Sequence, residues 1–243
     1  MNEHFNMFIK DNIALLRERI ASAAARAGKD SSAITLVAVS KTKSAEAVLE
    51  AYNEGLTVFG ENYAQELAAK KNSVLLAGLP DIKWHMIGHI QTNKISSVIG
   101  NACLIHSLDS MRLAEVIRAR AEKASVTVDA LLEINIAKEK NKYGFFIEEI
   151  YDAIQLISVM GNIKLLGFMT SAPFTDDPED NRMYFRQINE LYLDIRKKSI
   201  DNTNMHILSM GMSGDFEVAI EEGSTMPRIG TLIFGARDTG RHK

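Results

Sequence analysis

One cysteine, one tryptophan and four prolines occur among 243 residues, and each scarcity narrows what the chain can be. The single thiol, Cys103, excludes an intramolecular disulfide, so the fold must be held by its core, as in a reducing compartment. Cys103 lies in the apolar run Ala102-Cys103-Leu104-Ile105, where a buried structural thiol is expected rather than a nucleophile. No proline- or serine-rich linker divides the chain. No window reaches the roughly 18 uncharged apolar residues that a spanning helix needs, so no membrane association is expected. Basic residues are not in excess either: 28 Lys and Arg against 31 Asp and Glu give a net charge of -3. That balance argues against nucleic acid as a partner and leaves small anions in play. The opening "MNEHFNMFIKDN" is acidic early and lacks the basic-then-apolar order of a secretory signal. A cytoplasmic protein is expected.

What is present is ordinary core-forming material, 46% hydrophobic and 24% charged, in a length usual for one α/β barrel. A single domain over 1–243 is the simplest expectation. Apolar residues at helical spacing predict a first helix over 5–27, with Gly28 as its stop. Residues 34–40 then form a β-branched run too short for a helix and apolar on both faces, as a buried parallel strand is. The pattern repeats, predicting strands over 57–60, 83–87, 103–108, 128–136, 165–169, 205–210 and 228–234. Helical patterns separate most of them, clearest over 44–54, 61–77, 111–123, 147–160 and 178–198. Eight strands is the number that closes a (β/α)8 barrel. An open doubly wound sheet is the rival, but the strand count, the even spacing and the lack of Gly-x-Gly-x-x-Gly after strand one favour the barrel. The proline-containing stretch "SAPFTDDPED" reads as a surface connection.

In such barrels the carboxyl ends of the strands carry the active site. The first strand ends in "VAVSKT", which delivers Lys41 to that mouth. Desolvation against the strand's apolar wall would lower the lysine pKa and favour the neutral amine that attacks an aldehyde. "FGENYAQE" after strand two brings Asn62 and Tyr63 to the same level, with Glu66 one turn into the next helix. "WHMIGHIQTNK" contains His85 and His89, four apart but on a strand and a glycine turn, a weak metal signal without cysteine support. Lys138, Lys140 and Lys142 after strand five read by default as a solvated loop. The segment "HILSMGMSGDFEVAIEEGSTMPRIGTLIFGAR" brackets a short acidic helix, 215–222, with hydroxyls and glycines after strands seven and eight, the usual place of a phosphate site. Arg228 adds a permanent cation there, whereas Ser213 taken alone reads as a helix cap. An amine at strand one and a phosphate cradle at strands seven and eight specify a phosphorylated aldehyde. Pyridoxal phosphate and the phosphorylated sugars of Schiff-base aldolases both qualify.

The segments "AVSKTK", "FGENYAQE", "WHMIGHIQTNK", "HSLDS" and "SMGMSGDFEVAIEEGSTMPRIGTLIFGAR" occur in the order of a known family. Over nearly its whole length the sequence resembles the pyridoxal phosphate homeostasis proteins. The resemblance implies a single (β/α)8 TIM barrel of the alanine racemase N-terminal domain type, with an extra N-terminal helix. It implies pyridoxal 5'-phosphate held as a Schiff base on Lys41, with Arg228 facing the pyridine nitrogen. Ser213, Gly230 and Thr231, with neighbouring backbone amides such as that of Ile229, would hold the phosphate. Asn62 and His85 match motif positions near the ring, and Lys142 lies in a matching Glu139-x-x-Lys142-x-Gly144 pattern. Three positions depart from the family pattern: Ser44 for a proline, Pro227 for a valine and Thr239 for a tyrosine.

Two classes of function follow from the resemblance. A racemase-like enzyme needs an acid or base on each face of the substrate carbanion, and in the resembled racemases one comes from a separate β-domain, which this chain is expected to lack. An arginine at the ring nitrogen cannot accept a proton, so it would leave the ring a weaker electron sink. A carrier without turnover is therefore expected, with cofactor-requiring apoenzymes as recipients and a monomer as its state.

Overall fold

Short β-branched runs that are apolar on both faces pair here as one parallel sheet. The computed structural model describes residues 8–79, 81–198 and 200–236. Its strands are β1 (Val37–Val39), β2 (Val58–Glu61), β3 (Lys83–Met86), β4 (Leu104–Leu108), β5 (Val128–Ile134), β6 (Ile163–Thr170), β7 (Thr203–Ser209) and β8 (Arg228–Ile229). The helices are α1 (Ile9–Arg26), α2 (Ala45–Asn53), α3 (Ala64–Leu76), α4 (Ile95–Val98), α5 (Met111–Ala124), α6 (Ile150–Ser158), α7 (Arg182–Lys197), α8 (Phe216–Glu221) and α9 (Thr231–Phe234). Every ladder is parallel, in the order β7-β6-β5-β4-β3-β2-β1-β8. The two ends of that order are joined outside any ladder, by Thr225 and Met226 N–H to Leu208 O at 3.0 and 3.2 Å and by Arg228 N–H to Gly211 O at 3.0 Å. The barrel expected from the strand count is thus the fold.

Strand alternation builds two cores. One fills the space between strands and helices, and α1 joins it through the buried stripe Ile13, Leu16, Ile20, Ala23 and Ala24. The other plugs the barrel with Val37, Val58, Leu104, Leu131, Leu166, Met169, Ile207 and Met226. Two residues further along six of those segments stand Val39, Gly60, His106, Glu133, Ser209 and Arg228. The inward face therefore turns from apolar to polar toward the carboxyl ends.

Helix α8 is braced on both sides. Arg19 and Arg26 of α1 pair with Glu217 and Glu221 at 2.8 and 2.6 Å, and Arg182 of α7 pairs with Glu221 and Glu222 at 2.7 and 2.9 Å. The brace fixes the loop that enters α8 from β7.

Three expectations change. Strand eight stops at Ile229, because Gly230 turns the chain and Phe234 N–H bonds back to Gly230 O at 2.9 Å, making 231–234 helical despite an apolar sequence. The first strand is only Val37–Val39, preceded by a 3-10 turn over Ser31–Ala33. Cys103 is exposed, since β4 begins one residue later and the thiol falls in the bend before it. Pro227 costs the barrel nothing as an acceptor, for its carbonyl takes the Val37 N–H at 3.0 Å. Residues 5–7 of the expected first helix, and Thr239, lie outside the described residues.

Candidate functional site

After β1 the chain turns sharply. Lys43 N–H donates to Ser40 O at 3.0 Å, and Thr42 at the turn's third position has φ +64°, a left-handed value costly for a β-branched residue. The turn presents Lys41, half-buried, to a cavity of about 560 Å³ at the carboxyl ends of the strands. Asn62, Ser213, Arg228, Gly230 and Thr231 line the same cavity. Residues from the ends of β1, β2, β7 and β8 thus converge, as barrel geometry requires.

Arg228 is anchored on the cavity wall. Its Nη1 donates to the carbonyl and hydroxyl of Ser209 at 2.7 and 2.8 Å, and its Nη2 to Thr170 O and Ser171 Oγ at 2.9 and 3.0 Å. Burial pulls its pKa down to about 10, against the charges of Glu133 and Asp215, so it stays cationic at neutral pH.

Ser213 does not cap a helix. Asp215 stands at the N-terminal position of α8 without a side-chain cap bond to it: one oxygen accepts the Met212 N–H at 2.7 Å and the other the amide of Asn181 at 3.0 Å. Ser213 is left in the open loop before α8, on the cavity. Asn62 is seated by a glycine, since a Cβ on Gly88 would lie 2.5 Å from Asn62 O.

His85 and Ile229 are not among the cavity's lining residues. Ile229 faces the outer core. His85 is buried inside the barrel, its Nδ1 2.9 Å from His106 Nε2, while His106 Nδ1 lies 3.0 Å from Ser209 Oγ. Burial above all lowers the pKa of His85, to about 4, and that of His106 well below the ordinary value, so both rings are neutral at pH 7. A neutral ring has one N–H, so His106 donates to one neighbour and accepts from the other. A chain of hydrogen-bond contacts thus links Arg228, Ser209, His106 and His85.

His89 bonds to Asp109 at 2.6 Å and stacks on Tyr143 at 3.6 Å, apart from His85. No group of three side chains able to hold a metal occurs among the described residues.

Lys142 reaches the mouth, its ammonium 3.2 Å from Ala172 O and paired with Glu139, whereas Lys138 pairs with Glu148. The sequence reading passed over Lys43, which lines the cavity and donates to Phe234 O and Ala236 O at 2.9 and 3.0 Å. It also took residues 171–175 for part of a surface connection, whereas they line the mouth. Their place directly after β6 is the signal that could have found them.

An eight-stranded parallel barrel with a lysine and a buried arginine facing one cavity at its mouth defines a ligand-binding barrel of the lysine-bearing kind. The family model described as the alanine racemase N-terminal domain matches residues 11–238, and the chain belongs to that family, among the pyridoxal phosphate homeostasis proteins. Such a protein from Aquifex aeolicus is 43% identical over 227 residues, 93% of this chain and 97% of the relative. One from Escherichia coli K12 is 36% identical over 95% of this chain and 97% of the relative. The structure of PipY from Synechococcus elongatus with pyridoxal phosphate bound has a TM-score of 0.80 and 30% identity, covering 93% of this chain and 100% of that one. No helix among the described residues is long and apolar enough to cross a membrane.

Proposed function

We propose that the protein binds pyridoxal 5'-phosphate at the barrel mouth, holds it as a Schiff base on Lys41 and passes it to cytoplasmic apoenzymes, without turnover of its own. The observation that carries this reading is the convergence of Lys41, Arg228, Ser213, Gly230 and Thr231 on one cavity. The donor set fits the cofactor: a primary amine for the aldehyde, a guanidinium for the ring nitrogen, and hydroxyls and amides of two loops for the phosphate. The bound relative from Synechococcus supports the same ligand.

The cofactor supplies an electrophilic aldehyde on an electron-withdrawing ring. Condensation with the Lys41 amine replaces the C=O bond by C=N and releases one water, with no change of oxidation state. Asn62 and Lys142 would orient the ligand from the rim. His85 would act from below, through His106, Ser209 and Arg228.

A carrier is favoured over a racemase-like enzyme by Arg228. Protonated and tied to Ser209 and Thr170, it can only donate, which leaves the ring nitrogen unprotonated. Lys43 and Lys142, the other lysines lining the mouth among the described residues, are engaged with backbone carbonyls. We read the protein as a monomer.

The test is delivery. Protein loaded with cofactor and freed of excess by gel filtration should restore a cofactor-free aminotransferase, and Lys41→Ala taken through the same steps should not. Racemase or transaminase activity of the protein itself, above the Lys41→Ala level, would contradict a carrier.

A further inference from the structure

A lysine sits on the buried stripe of α3, beside Ala64, Leu67 and Val74. Lys70 is 6% exposed, and its ammonium touches three oxygens: Ser40 O at 2.6 Å, Glu61 Oε1 at 2.7 Å and Glu66 Oε1 at 2.7 Å. Glu61 is fully buried, takes the Ser40 hydroxyl at 2.6 Å, and leaves its second oxygen without a hydrogen-bond partner. Glu66 takes the Thr42 N–H at 2.6 Å. A buried ionic trio usually contributes less to stability than apolar residues of the same volume, so stability alone is a poor account of it. What distinguishes this one is where it ends. It grips the carbonyl of Ser40 and the amide of Thr42, the backbone groups on either side of Lys41.

Thr42 gives that grip a purpose. With φ +64° it occupies a conformation that a β-branched residue abandons unless its surroundings hold it. Released, the turn would relax toward negative φ and swing Lys41 away from its present direction. We propose that Lys70, bridging Glu61 and Glu66, is a positioning residue that holds the strained turn and so aims the Lys41 amine into the cavity. This rests on the reading of Lys41 as the anchor of the cofactor.

The clamp and the anchor are tested separately. Without cofactor, amide hydrogen exchange at Thr42 should speed up by about tenfold or more in Lys70→Met, and likewise in Glu66→Ala, whose site is partly exposed and tolerant should Lys70→Met fail to fold. With pyridoxal phosphate, the rate of borohydride-fixable attachment to Lys41 should drop by about tenfold in the same variants. Adding Thr42→Gly, which adopts φ +64° without strain, should restore most of that rate in the Lys70→Met or Glu66→Ala background while leaving the loss of stability in place. A merely structural ion cluster would respond in the opposite way, with no rescue by glycine. Unchanged Thr42 exchange in both variants, or attachment that glycine does not recover, would overturn the proposal. Altered exchange in a protein whose wild type attaches no cofactor would support the clamp and overturn the anchor.

Discussion

Arg228 donates to both oxygens of Ser209, at 2.7 Å to the carbonyl and 2.8 Å to the hydroxyl, so one guanidinium adds a side-chain bridge between β7 and β8. The same group spans to Thr170 at the end of β6. A lysine, with one point charge, cannot serve both sides. Arg228→Lys should therefore destabilise the fold by about 2 kcal/mol in urea unfolding and loosen the hold on pyridoxal phosphate. An unchanged unfolding midpoint would show that the bridge is dispensable.

The buried titratable groups predict a pH profile. In the folded protein His85 titrates near about 4 and His106 well below 6.5, whereas burial, then the charge of Asp109, raises Glu133 to about 7. From about pH 4.5 to 6.5 the unfolded chain binds more protons at both histidines and fewer at Glu133 than the fold does. Both histidines therefore make stability rise with pH across this window, while Glu133, and Glu61, whose carboxyl burial also pushes up, oppose the rise. Glu133→Gln removes one opposing contribution and should steepen the slope by about 1 kcal/mol per unit relative to the wild type. Toward pH 7 the histidines of the unfolded chain lose their protons, so the wild-type rise flattens while the variant still gains a little. Urea unfolding at pH 5, 6 and 7 reads this directly, and equal slopes in the two proteins would contradict it.

Gly88 leaves no room for a side chain. A Cβ there would meet Asn62 O at 2.5 Å and Asn62 Cα at 2.7 Å, both backbone atoms that cannot swing aside. Gly88→Ala should cost about 1–3 kcal/mol and shift Asn62 at the mouth, weakening cofactor retention. Stability and retention measured together check it; wild-type values for both would mean that the backbone accommodates the methyl group.

How far the sequence could be read depended on whether a feature was local. Strand positions showed because parallel strands are apolar on both faces, and Lys41 showed because it ends such a run. The 231–234 turn was hidden, since Thr-Leu-Ile-Phe is as good a strand as a helix until Gly230 bends the chain. The His85–His106 contact was hidden too. It depends on the register of β3 against β4, where His85 lies opposite Leu104 and His106 follows two residues on. The role of Lys70 was hidden as well, because two of its three partners come from other elements, Glu61 from the end of β2 and Ser40 from the turn thirty residues earlier. The stretch 171–175 looked like a solvent loop from its composition, and only its place at the end of β6 puts it at the mouth.

The central claim is that Lys41 is the residue that takes the cofactor. The most direct measurement is borohydride reduction of the protein incubated with pyridoxal phosphate, followed by peptide mass analysis, beside Lys41→Ala. Three lysines line the cavity among the described residues, Lys41, Lys43 and Lys142, so the map discriminates. The account predicts a yellow protein whose reduced label sits on the Lys41 peptide and disappears in Lys41→Ala. A label on Lys43 or Lys142 in the wild type, or a colourless protein with every lysine unmodified, would contradict it.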